Sequence, residues 1–251
     1  MNEIVERVKQ LEILFSDNGY NGSGDNAFFI EEGSIPVIVS APHAINQFRA
    51  GQMKLADVYT GGIARYLHEV TDCHIICSSR FTESDPNYDP VGKNKYQDTL
   101  KEYLEKHPVS VLLDLHGTSQ TREYAVELGT APEQVSIPGK QCEEDPSLHE
   151  YKFIAEMIKN IFADQFKELP TVKKEIWKNQ IFSAGNQNTV TKFISKNTHT
   201  ACIQLEINRN YRDPENETEF VSLTEGLIKT IDTLSHIDWN SIPVVNPLGQ
   251  K

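Results

Sequence analysis

The fold is decided by the stretch PVIVSAPH, residues 36–43. Its middle is apolar and rich in β-branched residues, which predicts a short strand buried on both faces. Pro42 has no N–H to donate to a sheet, so we expect the strand to end there. His43 follows directly. It is therefore expected at the end of a rigid core strand, where α/β proteins commonly place their chemistry.

Two further segments repeat this pattern. Residues 109–117 form an apolar run that ends in His116-Gly117, and residues 201–207 form another that carries Glu206 near its end. Strand and helix patterns alternate along most of the chain. This alternation predicts an α/β fold, a three-layer sandwich with a mixed, mostly parallel central sheet. No repeat, low-complexity segment or linker interrupts it, so we expect one domain over residues 1–251.

The composition restricts the partners. The chain has 251 residues and a net charge of −12, from 36 acidic residues and 24 Lys and Arg. An acidic surface disfavours binding to nucleic acid and to anionic membranes, and we expect neither as a partner. No apolar run approaches the ~20 residues of a membrane span, and the first residues lack a signal-peptide pattern. We therefore expect a cytoplasmic protein; the oligomeric state stays open.

The four cysteines are expected to be buried, reduced thiols: Cys73, Cys77, Cys142 and Cys202.

The remaining segments are assigned by periodicity and turn signals. Apolar spacing predicts helices over residues 2–15, 55–70, 96–107, 148–166 and 218–234. It predicts further strands over residues 73–78 and 123–128, and loops over 44–54 and 131–146. Residues 172–182 fit strand or helix, and 189–195 are undecided. Gly61-Gly62 is expected to let its helix lie close to a neighbour.

His43 and His116 are the strongest candidates for chemistry. Imidazole is the commonest metal ligand among side chains near neutral pH. Two histidines and one carboxylate leave a coordination position open, which is typical of catalytic zinc sites. Asp57 is the first choice for the carboxylate, although an acid at a helix start also has a purely structural explanation. Asp114 shares a strand face with His116 and is either a ligand or a partner of an imidazole N–H.

Glu206 is a charged residue in an otherwise apolar strand. Burial of such a carboxylate is costly without a partner or a role. A general base that takes a proton from water at a metal fits this position; an ion pair with Arg209 or with another basic residue is the alternative. Arg80, Arg209 and Arg212 are candidates for gripping an anionic substrate, because guanidinium binds carboxylate through two hydrogen bonds. For each arginine taken alone, a surface or structural ion pair is the simpler explanation.

Several other chemistries lack a motif. The sequence contains no Gly-x-Ser-x-Gly elbow, no phosphate-binding glycine-rich loop with lysine and no dinucleotide-binding fingerprint. Serine, nucleotide and hydride chemistry therefore have little support.

Taken in order, these motifs resemble the N-formylglutamate amidohydrolase family. The matching pieces are Ser40-Ala41-Pro42-His43, Asp57-Val58-Tyr59-Thr60, Arg80 with Asp85-Pro86-Asn87, Asp114-Leu115-His116-Gly117, and Gln204-Leu205-Glu206-Ile207-Asn208-Arg209. The resemblance implies a fold akin to the zinc carboxypeptidases and hydrolysis of an amide bond in a small substrate that bears a carboxylate.

The resemblance also implies roles for particular residues. His43, Asp57 and His116 are expected to hold one zinc ion, and Glu206 to be the catalytic carboxylate. Arg80, Asn87 and Arg209 are expected to face the substrate. Two departures concern the substrate: Ala44-Ile45 stands where the family tends to have Ser-Gly, and Tyr88 stands where an arginine often follows the Asp-Pro-Asn segment.

The sequence thus predicts a zinc-dependent amidohydrolase that acts on a small N-acyl amino acid, of N-formyl type. Two alternatives remain: a peptidase or deacylase acting on a larger substrate, and a non-catalytic ligand-binding protein on the same scaffold.

Overall fold

A computed structural model describes residues 2–131 and 148–239. Nine strands are described: β1 (Phe28–Glu31), β2 (Ile35–Ala41), β3 (Gln47–Arg49), β4 (Gln52–Lys54), β5 (Cys73–Ser78), β6 (Val111–Thr118), β7 (Val126–Gly129), β8 (Ile176–Lys178) and β9 (Ala201–Asn208). Seven helices are described: α1 (Glu3–Tyr20), α2 (Thr60–Thr71), α3 (Lys95–Leu104), α4 (Leu148–Phe166), α5 (Val190–Asn197), α6 (Arg209–Arg212) and α7 (Glu217–Ser235).

The core of the protein is a seven-stranded mixed sheet in the order β1-β5-β2-β6-β9-β7-β8. The four neighbouring strands β5, β2, β6 and β9 run parallel. β1 is antiparallel to β5 and β7 is antiparallel to β9, whereas β8 is parallel to β7. Because the central strands are parallel, their carboxyl ends meet at one edge. The predicted mixed, mostly parallel sheet is confirmed.

Helices cover both faces of the sheet. Val37, Val39 and Ala41 of β2 belong to one apolar layer, which packs against α1, α2, α4 and α7. Ile38 belongs to the other, which packs against α3 and α5. Alternate residues of a strand point to opposite faces, so a strand that is apolar throughout must be covered on both sides. The predicted three-layer arrangement follows from this pattern.

The first two helices pack very closely. A β-carbon on Gly61 would lie 2.6 Å from the Phe15 ring, and one on Gly62 would lie 2.7 Å from Glu12 Oε2. The buried Glu12 carboxylate accepts hydrogen bonds from the N–H groups of Tyr59 and Gly62, each at 2.7 Å. It caps α2 in place of a local side chain. The expected close approach at Gly61-Gly62 is confirmed.

Several boundaries differ from the sequence-based predictions. α2 begins at Thr60 rather than near residue 55, because Tyr59 has a left-handed conformation with φ 70°. The predicted loop over 44–54 contains the hairpin β3–β4, which is too short and polar for its periodicity to show. Residues 172–182 contain β8, and the undecided segment 189–195 lies in α5, where the Thr189 side chain accepts from Lys192 N.

Residues 132–147 lie outside the described residues. The prediction of a polar loop over 131–146 falls almost entirely on this segment, and so does the prediction for Cys142. Cys73, Cys77 and Cys202 are buried free thiols, as expected. Among the described helices, none combines the length and the apolarity that a membrane crossing needs.

Candidate metal centre and cavity

The end of β2 holds the first histidine in place. The carbonyl of Pro42 accepts hydrogen bonds from Ser78 Oγ, at 2.7 Å, and from the Gln47 side-chain amide. The next residue, His43, is 3% exposed, and its carbonyl accepts from Asp57 N at 2.8 Å. The Asp57 carbonyl in turn accepts from Thr60 N, at the start of α2. Local backbone bonds therefore keep Asp57 beside His43.

His116 reaches the same place from the neighbouring strand. It lies on β6, which is in register with β2 through the pair Ser40 and Asp114. The Nδ1 atoms of His43 and His116 are 3.1 Å apart. Asp57 Oδ2 lies 3.3 Å from the first and 3.5 Å from the second. Two nitrogens and one carboxylate oxygen thus face one another, and all three side chains are buried.

A carboxylate oxygen lies within hydrogen-bond distance of the second nitrogen, Nε2, of each ring. His43 Nε2 lies 2.9 Å from Asp85 Oδ1, and His116 Nε2 lies 3.2 Å from Asp114 Oδ2. Asn87 Nδ2 is also 3.0 Å from His116 Nε2. A ring nitrogen cannot both donate to Asp114 and accept from Asn87. The tautomer that donates to the carboxylate leaves the lone pair on Nδ1, which is the arrangement that metal-binding histidines use.

This geometry separates the candidates for the acidic ligand. Asp57 lies on the Nδ1 side that both rings share. Asp114 lies behind one ring, where its Oδ2 also accepts from Thr191 Oγ1 at 3.1 Å. Its Oδ1 is buried without a hydrogen-bond partner among the described residues. The structure therefore brings Asp57 together with the two histidines and places Asp114 as a partner of the His116 ring.

The electrostatics of the cluster favour a cation. Burial raises the pKa of Asp57, but Lys54 and the two histidines outweigh it and hold this pKa well below its usual value. Burial lowers the pKa of His116, yet Asp114 and Asp57 outweigh it and raise this pKa to about 10. Three carboxylates surround the two imidazoles, and Lys54 and Arg49 pair with two of these carboxylates. A divalent cation can take the place of the proton on His116, and the N, N, O donor set suits zinc.

Glu206 adjoins this cluster from β9, where it is the register partner of His116. Its Oε1 accepts from Gln204 Nε2 at 2.8 Å. Burial raises the pKa of Glu206 to about 7, although the nearby His116 opposes the shift. The alternative ion pair with Arg209 is not formed, because Arg209 Nε lies 3.7 Å from Asp213 on the exposed side of α6. A carboxyl group with a pKa near neutrality can exchange protons at physiological pH.

The side chains of His43, Asp57, His116 and Glu206 line one cavity of about 440 Å³. Its size suits a small ligand. The cavity is also lined by Asn87, by Gln204, by residues 181–184, which form one wall, and by three cationic side chains: Arg49, Lys54 and Arg122.

The two arginines among these side chains have defined contacts. The guanidinium of Arg49 binds Asp85 Oδ2 through Nε at 2.6 Å and lies 5.5 Å from the Tyr88 ring centre. That of Arg122 lies 5.3 Å from the Phe182 ring centre.

The arginines that line the cavity differ from those that the sequence predicts to face the substrate. Arg80 is exposed, and its backbone N–H bonds to Ala27 O at 3.3 Å, beside the start of β1. Arg209 points to solvent because β9 ends at Asn208 and α6 turns the chain. Neither lines the cavity, whereas Asn87 does. Arg49 ends β3 of the hairpin after β2, and Arg122 lies in the loop after β6. Segments that follow central strands lie above the strand ends, but Arg80 follows β5 in the same way, so this signal alone does not select the two.

Comparison with known proteins leaves the family open. No protein-family model matches the chain, and no curated protein sequence matches it. Similar solved structures include an N-formylglutamate amidohydrolase from Ralstonia eutropha JMP134, with 12% identity and a TM-score of 0.49 over 83% of this chain and 96% of that one. A bacteriophage poly-gamma-glutamate hydrolase has 13% identity and a TM-score of 0.48 over 84% and 91%.

A metallo-carboxypeptidase from Burkholderia cenocepacia is more distant, with 11% identity and a TM-score of 0.43 over 79% of this chain and 57% of that one. Values this low assign neither a family nor an activity. The site has to be interpreted from its own atoms.

Proposed function

We propose that the chain is a metal-dependent hydrolase that cleaves the amide bond of a small N-acyl amino acid, of N-formyl type, with zinc as its metal. The observation that carries this proposal is the approach of His43 Nδ1, His116 Nδ1 and Asp57 Oδ2 to within 3.1–3.5 Å of one another. Each histidine has a carboxylate behind it, and a buried glutamate stands beside the cluster.

In this proposal the three residues His43, Asp57 and His116 hold the metal, which when bound supplies Lewis acidity to the carbonyl and acidifies water. Glu206 accepts a proton from the attacking water at its carboxylate. It then passes that proton to the departing nitrogen, so that the leaving group departs as a neutral amine. Asp85 and Asp114 keep the two imidazoles in the tautomer that presents Nδ1.

A cationic side chain in the cavity supports a carboxylate-bearing substrate. Of the three that line it, Arg49 pairs with Asp85 and Lys54 with Asp57, whereas Arg122 lies over the Phe182 ring. A guanidinium binds carboxylate with directed, charge-assisted hydrogen bonds. The motif resemblance to the N-formylglutamate amidohydrolases agrees with such a substrate. Arg80 and Arg209, which that resemblance assigns to the substrate, stay predictions without a contact in the cavity.

The first test is the metal content of protein purified without added metal, for the wild type, His43→Ala and His116→Ala. We expect about one zinc per chain in the wild type, because a His₂-carboxylate set is a typical zinc site, and its loss in both variants. If the wild type takes up no zinc even after incubation with it, the proposed metal site is contradicted, and with it the proposed function.

The second test separates catalysis from binding. We expect Glu206→Gln to keep its zinc and to lose at least about 100-fold in kcat on N-formyl and N-acetyl amino acids, because it cannot accept the proton. Glu123→Gln is the matched control, since Glu123 is exposed on the surface. Bound zinc with no hydrolysis of small substrates by the wild type would favour the alternatives, a deacylase for larger substrates or a binding protein.

A further inference from the structure

The buried Arg212 links the segments that carry the residues of the site, but Arg212 itself does not line the cavity. Arg212, at the end of α6, is 5% exposed. Its Nε donates to Ile207 O at 3.0 Å, its Nη1 to Val58 O, and its Nη2 to Thr118 O at 3.4 Å. The three acceptors are backbone carbonyls. Among the described residues, no carboxylate lies within ion-pair distance of this guanidinium.

Each of these carbonyls belongs to a segment that carries a residue of the site. Val58 follows Asp57 directly. Thr118 ends β6, two residues after His116. Ile207 follows Glu206 directly on β9. The three segments are far apart along the chain, and Arg212 joins all of them within the reach of one planar group.

The chemistry of arginine suits this task. Guanidinium offers five N–H donors in a rigid plane, so it can bind several carbonyls in fixed directions; the lysine ammonium is a single point on a flexible stem. Gly117 also packs against this plane, and a β-carbon there would overlap the guanidinium. Burial without an ion pair is costly for a cation, and the nearby charges of Asp57, Glu206 and Glu12 offset part of that cost.

We infer that Arg212 is a positioning residue that sets the distances between Asp57, His116 and Glu206. Its effect on catalysis rests on the proposed function, but its effect on the geometry of the site does not. Arg212 lies behind the site rather than in the cavity lining. Its candidate role in gripping an anionic substrate therefore has no contact in the cavity.

The test compares Arg212→Lys and Arg212→Met with the wild type. Zinc affinity is measured by competition with a chromophoric chelator, and kcat and KM are measured on the same preparations. We expect Arg212→Lys to weaken zinc binding about tenfold and to lower kcat at least as much, because residues that orient metal ligands have effects of this size. KM should change less than about twofold, since Arg212 does not touch the cavity.

Arg65→Met is the matched control. Arg65 is a partly buried arginine on α2 that lies 3.8 Å from Glu31, remote from the cavity. It should leave both zinc affinity and kcat unchanged. Urea titrations identify conditions in which every variant is folded, so that a general loss of stability is not mistaken for a change at the site.

Gly117→Ala provides a second route to the same distortion. Its added methyl group displaces the guanidinium while the positive charge stays, so it should reproduce the losses of Arg212→Lys. In the double variant Gly117→Ala/Arg212→Lys the losses should be less than additive, because both act through one contact. Gly117 itself lines the cavity, so if Arg212→Met does not fold, Arg212→Lys decides the question.

Wild-type zinc affinity and kcat in folded Arg212→Lys and Arg212→Met would overturn the inference. If the wild type binds no zinc, the proposed function fails by itself. The inference is then tested on the metal-free protein by the NMR shifts of the His43 and His116 ring nitrogens. They should move in Arg212→Lys and not in Arg65→Met; unmoved shifts in Arg212→Lys would overturn the inference in this case as well.

Discussion

At the scale of single residues, the orientation of two imidazole rings decides what the site can bind. His43 and His116 turn Nδ1 toward each other and toward Asp57, because Asp85 and Asp114 lie at their Nε2 atoms. Two ring nitrogens that both present lone pairs at 3.1 Å repel each other. The arrangement becomes favourable when a cation, or a proton on His116, lies between them and the carboxylate.

Single residues also decide which charges meet a substrate. Arg122 lies over the Phe182 ring at the cavity, whereas Arg80 is exposed elsewhere on the surface. Both are arginines in loops after a strand, and the sequence does not distinguish them. Only the direction of each loop determines which guanidinium faces the cavity.

Replacing Arg122 by glutamine should therefore raise the KM for an N-acyl amino acid. Loss of a charge-assisted hydrogen bond costs about 1.5–3 kcal/mol, which corresponds to roughly 10- to 100-fold in affinity. The effect should be much smaller on a substrate whose carboxylate is amidated. The measurement is steady-state kinetics on both substrates. Arg80→Gln is the control and should change KM less than about twofold; the reverse pattern would restore Arg80 as the substrate ligand.

At the scale of elements, a single carboxylate on β7 binds the segment that forms the cavity wall at residues 181–184. Glu127 is fully buried, and its Oε1 accepts from the backbone N–H groups of Gln180, Ile181 and Phe182, at 2.6, 2.6 and 3.1 Å. The same segment carries the wall residues 181–184 and the ring under Arg122. An irregular segment thus obtains hydrogen bonds that it cannot form with a neighbouring strand.

Glu127→Gln should loosen this wall. The neutral amide oxygen is a weaker acceptor for three N–H groups than a carboxylate, so we expect a loss of about 1–3 kcal/mol in the free energy of unfolding. KM should rise while kcat changes less, because the candidate metal ligands do not belong to residues 180–184. Urea unfolding, kinetics and amide hydrogen exchange are the measurements. Unchanged exchange at residues 180–182 would contradict this role, and Glu123→Gln should behave as the wild type.

At the scale of the whole molecule, the parallel centre of the sheet makes the site possible. β2, β6 and β9 lie side by side in register, so residues at their carboxyl ends meet although they are distant in sequence. The candidate metal ligands come from the end of β2, the segment before α2 and the end of β6. A cation at this point therefore connects segments that only the folded chain brings together.

Zinc should for this reason stabilise the folded protein. A ligand that binds only the native state adds about 2.7 kcal/mol at a free concentration 100 times its Kd. The measurement is urea unfolding with added zinc and with a chelator, and the midpoint should rise with zinc. His116→Ala should abolish the shift, and His236→Ala, at an exposed site, should keep it. A midpoint that is indifferent to zinc in the wild type would contradict a site of this kind.

Local patterns predicted much of this architecture. The apolar runs at 36–43, 109–117 and 201–207 are properties of neighbouring residues, and they identify three central strands and the positions of His43, His116 and Glu206. The same holds for α4, whose long apolar stripe predicts both of its bounds as described. Short polar elements such as the hairpin β3–β4 were missed, because tertiary contacts outweigh their weak local preference.

The sequence by itself therefore determined the α/β class, the buried strands and the residues at their ends, because periodicity and chain-breaking residues act over a few positions. Tertiary structure alone decided that Asp57 rather than Asp114 faces both histidines, and that Arg49 and Arg122 rather than Arg80 and Arg209 line the cavity. It also turned Arg212 inward onto three carbonyls. These outcomes depend on distances between residues far apart in the chain, which only the packing of sheet and helices sets.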